Sequence, residues 1–191
     1  MHIKPIKNHI IFQFVDEVDN KGQFVKTTQW GFVIPGHYDN SAKMPRWATV
    51  VEVGPDCETV KVGQQILIHA LKWTEGFKLD GVRFWKTDEK QVAALRHVND
   101  SRVTALRDTI IFKRHENKAP ASEAGLEVVG DIPRTPSGTI ITVGPDVDAE
   151  LQAGATVYFL DENFFSEFEH NEQKLWYIDE PSILVYQPLD E

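Results

Sequence analysis

The stretch TVVEVGPD at residues 49–56 occurs a second time, as TIITVGPD at residues 139–146, 90 residues later. In each copy a run rich in β-branched residues stops at Gly-Pro-Asp, which is the pattern of a β-strand that enters a tight turn. Self-similarity at a long period indicates an internal repeat. The two copies therefore predict the same strand and turn in each half of the chain.

Three further blocks recur in the same order. The block NHIIF at 8–12 matches DTIIF at 108–112. The pair VG at 62–63, followed by ILI at 66–68, matches AG at 153–154, followed by VYF at 157–159. Trp85, followed by DE at 88–89, matches Trp176, followed by DE at 179–180. The first half carries about ten extra residues between its first two matched strands. Four blocks in one order predict a duplicated domain, whereas the alternative is a set of unrelated hairpins with similar turns.

The chain has 191 residues, which suits two small domains, predicted at residues 1–97 and 102–191. A formal charge of −9 argues against a nucleic-acid-binding surface. The single cysteine, Cys57, excludes an intrachain disulfide framework. No apolar run is long enough to span a bilayer, and a strand pattern begins near the first residue, so we expect a cytoplasmic protein without a signal peptide.

Short candidate strands follow one another about every ten residues, and no long segment has a period of 3.6. This pattern predicts an all-β sandwich or barrel. Residues 73–80, which hold Trp73 and Phe77, are predicted to be a loop, and residues 161–172 are acidic and aromatic.

Each half contains one long connection, at about residues 23–47 in the first and 113–137 in the second. Long connections in compact domains are usually functional or disordered. The first holds GFVIPG at 31–36, in which three large apolar residues lie between two glycines. This run is either a short strand buried in its own domain or an exposed apolar segment that binds in a groove of another protein.

Taken together, these blocks resemble the co-chaperonin family, the chaperonin-10 or GroES-like proteins. The resemblance rests on PIKNHIIF at 5–12, GFVI at 31–34, a strand that ends in Val-Gly at 53–54, the turn VKVG at 60–63, and a closing block from FW at 84–85 through DE at 88–89 to Val92. It covers nearly all of the first half and is weaker but collinear in the second.

The resemblance implies two tandem GroES-like small β-barrels, each with a long mobile loop. In this family, barrels join into a ring that caps the cage of an ATP-dependent, GroEL-like chaperonin and so assists nucleotide-dependent protein folding. The first strand of one barrel pairs with the last strand of its neighbour, and these are the two elements that residues 98–101 connect in this chain.

The family docks on the chaperonin through an apolar tripeptide in the mobile loop. The resemblance gives this role to Phe32, Val33 and Ile34. In the second half, the corresponding place holds a charged residue within the run GLEVVG at 125–130, so that the candidate docking residues there are Leu126, Val128 and Val129.

Both halves lack the insertion that forms a roof hairpin in bacterial members, because the chain passes directly from Gly54 to Gly63 and from Gly144 to Gly154. Tandem barrels are similar to the double co-chaperonins of chloroplasts, whereas the missing roof and absent transit segment are similar to viral co-chaperonins. We therefore expect a bacteriophage origin and a location in the host cytoplasm. Family rings have seven barrels, so three chains with six, four with eight, or a mixed ring all stay open.

Two other functions fit parts of the sequence. Medium-chain alcohol dehydrogenases contain a GroES-like domain, but they also need a nucleotide-binding βαβ half, which is not recognisable here. The seven histidines show no metal-ligand spacing, and the acidic pairs at 88–89 and 179–180 recur at turns, which favours a structural role over acid–base catalysis. We therefore expect no enzyme, metal or cofactor. The alternative function is a non-enzymatic structural or adaptor β-protein, such as a virion accessory.

Overall fold

The computed structural model describes residues 3–19, 24, 44–96, 102–115, 135–161 and 165–188. Contacts divide the chain into two compact units, Met1–Arg107 and Asp108–Glu191. Within the described ranges every regular element is a strand or a short 3₁₀ turn, so the predicted all-β class is confirmed. None of the described segments forms a helix able to span a membrane.

The first unit is one sheet of seven strands in the order β4-β5-β1-β2-β3-β6-β7, and all neighbours are antiparallel. The strands are β1 (His9–Phe14), β2 (Arg46–Val53), β3 (Gln65–Ile68), β4 (Phe77–Leu79), β5 (Val82–Asp88), β6 (Val92–Arg96) and β7 (Val103–Ala105). A 3₁₀ turn, Glu89–Gln91, joins β5 to β6.

The second unit is a sheet of six strands in the order β11-β12-β8-β9-β10-β13. The strands are β8 (Thr109–Arg114), β9 (Ser137–Val143), β10 (Thr156–Phe159), β11 (Ser166–His170), β12 (Gln173–Asp179) and β13 (Ile183–Gln187), with a 3₁₀ turn, Glu180–Ser182, before the last. Six strands of the first sheet and all six of the second follow the same order along the chain and across the sheet. Among the strands that the structure describes, only β7 has no counterpart in the second sheet.

Neither sheet closes into a barrel among the described residues, because each ends in two edge strands. The finer prediction of closed small barrels is therefore not confirmed by these strands, since closure requires the outermost strands to pair. Between β2 and β3, and again between β9 and β10, the chain contains no strand.

The prediction of a loop at 73–80 is wrong in part, because β4 lies within it. A second strand, β11, lies in the acidic and aromatic segment 161–172, where the sequence pattern predicts no strand. Each of these two strands is the short partner of a seven-residue strand in a hairpin. Asp80 and Gly81 turn the first hairpin, and Asn171 and Glu172 turn the second, all with positive φ. Turns of this kind match the twist of the strands that they join. The turn and the longer strand, β5 or β12, therefore determine the pairing, although β4 and β11 show little apolar alternation of their own.

Each unit has its own apolar core beneath its first strand. Ile10 and Phe12 of β1 are fully buried in the first core, and Ile110 and Phe112 of β8 are fully buried in the second. Because side chains alternate along a strand, Ile10 and Phe12 share one face, as do Ile110 and Phe112. The repeated block NHIIF/DTIIF thus supplies the same part of the core twice.

The repeated Val-Gly-Pro-Asp turn ends β2 at a point of close backbone contact. The Gly54 N–H donates to the His9 carbonyl at 2.8 Å, and the Gly144 N–H donates to the Thr109 carbonyl at the same distance. A Cβ atom on Gly54 would lie 2.0 Å from the Lys7 carbonyl oxygen. The glycine of the motif is therefore required by space and not by an unusual φ.

We predict that Gly54→Ala destabilises the first unit by about 1–3 kcal/mol or more, because the new methyl group meets backbone that cannot rotate away. Thermal and denaturant unfolding measure the change. The matched control is Gly81→Asn, at a hairpin turn with open space around it and a φ that asparagine tolerates. Equal stability of Gly54→Ala and the parent chain would contradict the packing described for this turn.

Candidate docking and assembly surfaces

The predicted docking residues lie outside the described residues. These are Phe32, Val33, Ile34, Leu126, Val128 and Val129. The structure does describe the places where their segments leave each sheet. Both long connections run from the first strand of a unit to its second, β1 to β2 and β8 to β9. They therefore leave the two sheets at equivalent places.

An aromatic cluster lies where the first connection leaves β1. The rings of Phe24 and Trp73 contact the Phe14 ring edge to face, with centroids 4.7 and 5.1 Å away. The centroid of the Trp85 ring lies 4.8 Å from that of the Phe14 ring. Such aromatic pairs stabilise beyond the area that they bury. The cluster ties Phe24, which belongs to the connection, to β1 and β5.

The side chain of Arg46 lies at the other end of the same connection. The Arg46 guanidinium, at the start of β2, lies 4.5 Å from the centroid of the Phe24 ring. It also donates to the Asp16 carboxylate at 2.6 Å, just beyond β1. Arg46, at the end of the connection, thus contacts Asp16 and Phe24 at its start, which holds the two ends of the connection close together.

The second connection leaves from a more polar base. The ring nitrogens of His115 lie 3.2 Å from the Ser137 hydroxyl and 2.7 Å from the Thr139 hydroxyl. The Arg114 guanidinium lies over the Phe165 ring at 5.6 Å, but Phe165 belongs to a later segment and not to the connection. The bases of the two connections therefore differ, which agrees with the sequence difference between their apolar runs.

The recurring acidic pair is structural in the first unit. The Glu89 carboxylate accepts hydrogen bonds from the backbone N–H groups of Glu58, Thr59 and Val60, at 3.1, 2.9 and 2.8 Å. Asp88 accepts from the Asn8 side chain and from the Lys90 N–H, both at 2.8 Å. These carboxylates are occupied with holding turns, so the alternative of an acid–base pair has no geometric support.

The equivalent residue of the second unit makes fewer contacts. Glu180 accepts one backbone N–H, from Asp148 at 3.1 Å. We therefore predict that Glu89→Ala lowers stability by about 1–3 kcal/mol, because three donors lose a charged acceptor, and that Glu180→Ala costs less. Thermal unfolding of the two matched variants measures the difference. A larger loss for Glu180→Ala would contradict this assignment.

Cys57 and Tyr177 have raised pKa values. Burial raises the pKa of the Cys57 thiol above its usual value, and the sulfur lies 3.6 Å from the His9 carbonyl oxygen. Burial likewise raises the pKa of Tyr177 to about 12. Both groups stay neutral near pH 7, and a neutral thiol is a poor nucleophile. Over the same segments, no three His, Cys, Asp or Glu side chains converge as a metal site.

The strand of the first unit that follows the 3₁₀ turn, β6, is covered on both sides. β6 pairs with β3 and with β7, and its residues Ala93 and Ala94 are fully buried. Leu106, directly after β7, enters the core at 4% exposure. The Arg107 guanidinium then donates to the carbonyl oxygens of Glu89 and Val92. The sequence patterns did not predict that β7, Leu106 and Arg107 cover β6, because β7 has only three residues.

The last strand of the second unit is open on one side. β13 pairs with β10 and is the edge strand among the described residues of its sheet. Leu184 and Val185, which correspond to Ala93 and Ala94, are 48% and 55% exposed. An apolar edge strand of this kind is a template for pairing with another segment.

A comparison with family models finds no match. A comparison with curated proteins finds the co-chaperonin GroES of Thermodesulfovibrio yellowstonii, which is 28% identical over 95 residues. The matched region covers half of this chain and 97% of that protein. The length of the match, 95 residues, is close to the 90-residue period of the internal repeat.

Proposed function

We propose that this protein is a co-chaperonin that caps a chaperonin folding cage and assists nucleotide-dependent protein folding. The observation that carries the proposal is the similarity of half of the chain to nearly the whole of a GroES sequence. The protein needs no catalytic residue, metal or cofactor of its own for this role. It acts in the cytoplasm, in the host cell if its origin is a bacteriophage.

Each unit is a GroES-like barrel in this proposal, and the chain is a tandem duplication. The shared strand order of the two sheets supports this reading, as do the two fully buried core blocks at 10–12 and 110–112. The absence of a strand between β2 and β3 leaves no roof hairpin on the first unit, and the same holds between β9 and β10 in the second.

Docking on the chaperonin is the task of the first connection, through Phe32, Val33 and Ile34. Burial of three such side chains contributes roughly 4.5–9 kcal/mol before any cost is counted. Ordering six or seven residues costs roughly 1–2 kcal/mol each, so a single connection binds weakly. Several linked connections bind together with much higher apparent affinity, and the assembly releases easily once the partner changes shape.

A ring of copies supplies this multivalency. In the first unit β6 is already paired with β7, whereas its counterpart in the second unit, β13, has an apolar open edge. A closed ring leaves no such edge exposed. The number of chains in the ring follows from the angle between neighbouring copies.

The docking residues are tested by Phe32→Ser combined with Ile34→Ser. We expect this variant to fold and assemble like the parent chain and to lose chaperonin binding, because two apolar contacts are removed from every copy. Binding in the presence of nucleotide and thermal unfolding are the two measurements. Loss of folding would instead assign these side chains to the core of the first unit.

The matched variant, Leu126→Ser with Val128→Ser, tests the second connection. We expect a smaller loss of binding, because Glu127 interrupts the apolar run and a charge is costly to bury at an interface. Equal losses in the two variants would mean that both connections dock equally.

Native mass spectrometry of the parent chain, alone and with a bacterial chaperonin plus nucleotide, tests the proposal as a whole. We expect a ring that joins the chaperonin only when nucleotide is present. A chain that never joins the chaperonin would favour the alternative of a structural or adaptor protein with the same fold.

A further inference from the structure

The start of the first connection is held against its own unit. Val18 and Phe24 form an isolated antiparallel bridge, so the chain returns at Phe24 to a point that it has already passed. Between them, the carbonyl oxygen of Asp19 accepts a hydrogen bond from the Arg83 guanidinium of β5 at 3.4 Å. These contacts attach the beginning of the connection to the sheet before the residues predicted to dock.

Phe24 lies among groups from three other parts of the unit. Its ring centroid is 4.7 Å from that of Phe14, in β1, and 6.1 Å from that of Trp73, in the segment between β3 and β4. The Arg46 guanidinium lies over the same ring and donates to the Asp16 carboxylate. A cation over an aromatic face is attracted by the ring. We call Phe14, Asp16, Phe24, Arg46 and Trp73 the clasp.

The second unit has other residues at two positions of the clasp. The pairing registers place Arg114 where the first unit has Phe14, and Pro136 where it has Arg46. The guanidinium of Arg114 lies over a ring, but that ring belongs to Phe165, which is in a later segment. The clasp therefore belongs to the connection whose apolar run is free of charge, and not to the connection that carries a charge within its run.

The clasp limits how far the predicted docking residues extend from the sheet. Eight residues separate Phe32 from Phe24, so covalent geometry allows a distance of at most about 26–29 Å between them. Without the clasp, the nearer attached residue is Arg46, fourteen positions away, and the limit rises to about 46–50 Å. The number of residues between the attached ends rises from 21 to 31.

We propose that Phe24, Arg46 and Asp16 are positioning residues, which keep the docking residues of the first connection within about 29 Å of Phe24, and that the apolar groove of the chaperonin lies within this distance. The three side chains do not contact the partner. They act by raising the effective concentration of the docking residues at the groove. This inference deepens the proposed function and rests on it, but the clasp itself is tested without a partner.

The size of the effect follows from the length of chain between attached ends. Effective concentration falls roughly as the −3/2 power of that length, so a change from 21 to 31 residues weakens each docking event about twofold. The losses multiply when linked connections dock together. For an assembly with three first units, the apparent affinity falls about tenfold.

Distances between two spin labels test the clasp in the absence of a partner. The labels are attached at Gln29→Cys, in the connection, and at Lys72→Cys, beside Trp73, in a Cys57→Ser background. We expect Phe24→Ser to add a population at distances longer than any in the parent chain, because the ring no longer attaches the connection. Phe24→Tyr retains the ring and is the matched control. An unchanged distance distribution in Phe24→Ser would overturn the inference.

A reversible bond tests the positioning role in one polypeptide. Val18→Cys with Phe24→Cys, in a Cys57→Ser background, places two thiols in the antiparallel bridge, where Cβ atoms are close enough for a disulfide. The reduced variant lacks the aromatic ring, and we expect it to bind a bacterial chaperonin with nucleotide about tenfold more weakly than the parent chain.

Oxidation returns the chain to Val18 without the ring and removes six residues from the free length. We therefore expect oxidation to strengthen binding about threefold, as measured by titration calorimetry. The two states have the same sequence outside the new bond, so a lost partner contact does not explain a difference between them. Binding that is no stronger after oxidation would overturn the inference.

Two arginine substitutions provide matched variants. Arg46→Gln removes the cation from the clasp, whereas Arg114→Gln removes a cation from a ring outside the second connection. We expect weaker chaperonin binding for Arg46→Gln, a smaller loss for Arg46→Lys, which keeps the charge but not the planar group, and no change for Arg114→Gln. Equal losses for Arg46→Gln and Arg114→Gln would assign the effect to general stability and overturn the inference.

The outcomes separate this inference from the proposed function. Chaperonin binding by the parent chain that Phe24→Ser leaves unchanged or strengthens would overturn the positioning role and leave the co-chaperonin proposal standing. A parent chain that shows the clasp in its label distances but never binds the chaperonin would overturn the proposed function, and the positioning role with it.

Discussion

The close approach of Gly54 to the Lys7 carbonyl is the constraint on which the first unit depends. There is no room for a Cβ atom at this point, so β2 ends against the backbone that leads into β1. The Asp56 N–H also donates to the same carbonyl. This contact holds Lys7 in its left-handed conformation, which determines how residues 3–7 leave the unit. The turn at Gly54 thus determines the direction of residues 3–7, although its sequence suggests only a local role.

The two units share a fold but differ in how their surfaces are used. The connection of the first unit starts from packed aromatic rings beside Arg46, whereas that of the second starts beside His115 and two hydroxyl groups. The corresponding strands β6 and β13 also differ, because β6 is covered on both sides and β13 is open on one side. If the chain arose by duplication, the second copy kept the core and changed the surface. Such divergence is typical of surfaces, because cores must conserve packing volume.

Some features of the site were accessible from sequence and others were not. The recurrence of the acidic pair at a turn correctly indicated a structural role for Glu89, since catalytic residues have no reason to recur with a fold motif. Its three backbone donors come from residues about 30 positions away, and no local pattern reveals such a partner. The covering of β6 by β7, Leu106 and Arg107 was likewise not predicted, because no local pattern shows it. A three-residue strand has too few side chains to show an alternation.

The sequence by itself determined the all-β class, the repeated strand-and-turn unit and the residues of its core, because burial imposes a period of two and turns require glycine. The tertiary structure decided what periodicity does not encode. It paired β4 with β5 and β11 with β12 in hairpins, and it left both sheets open among the described residues. It also buried Leu106 and left Ile6 exposed. The physical reason is that pairing and burial depend on partners distant in the chain, whereas periodicity reports only which face of a strand is apolar.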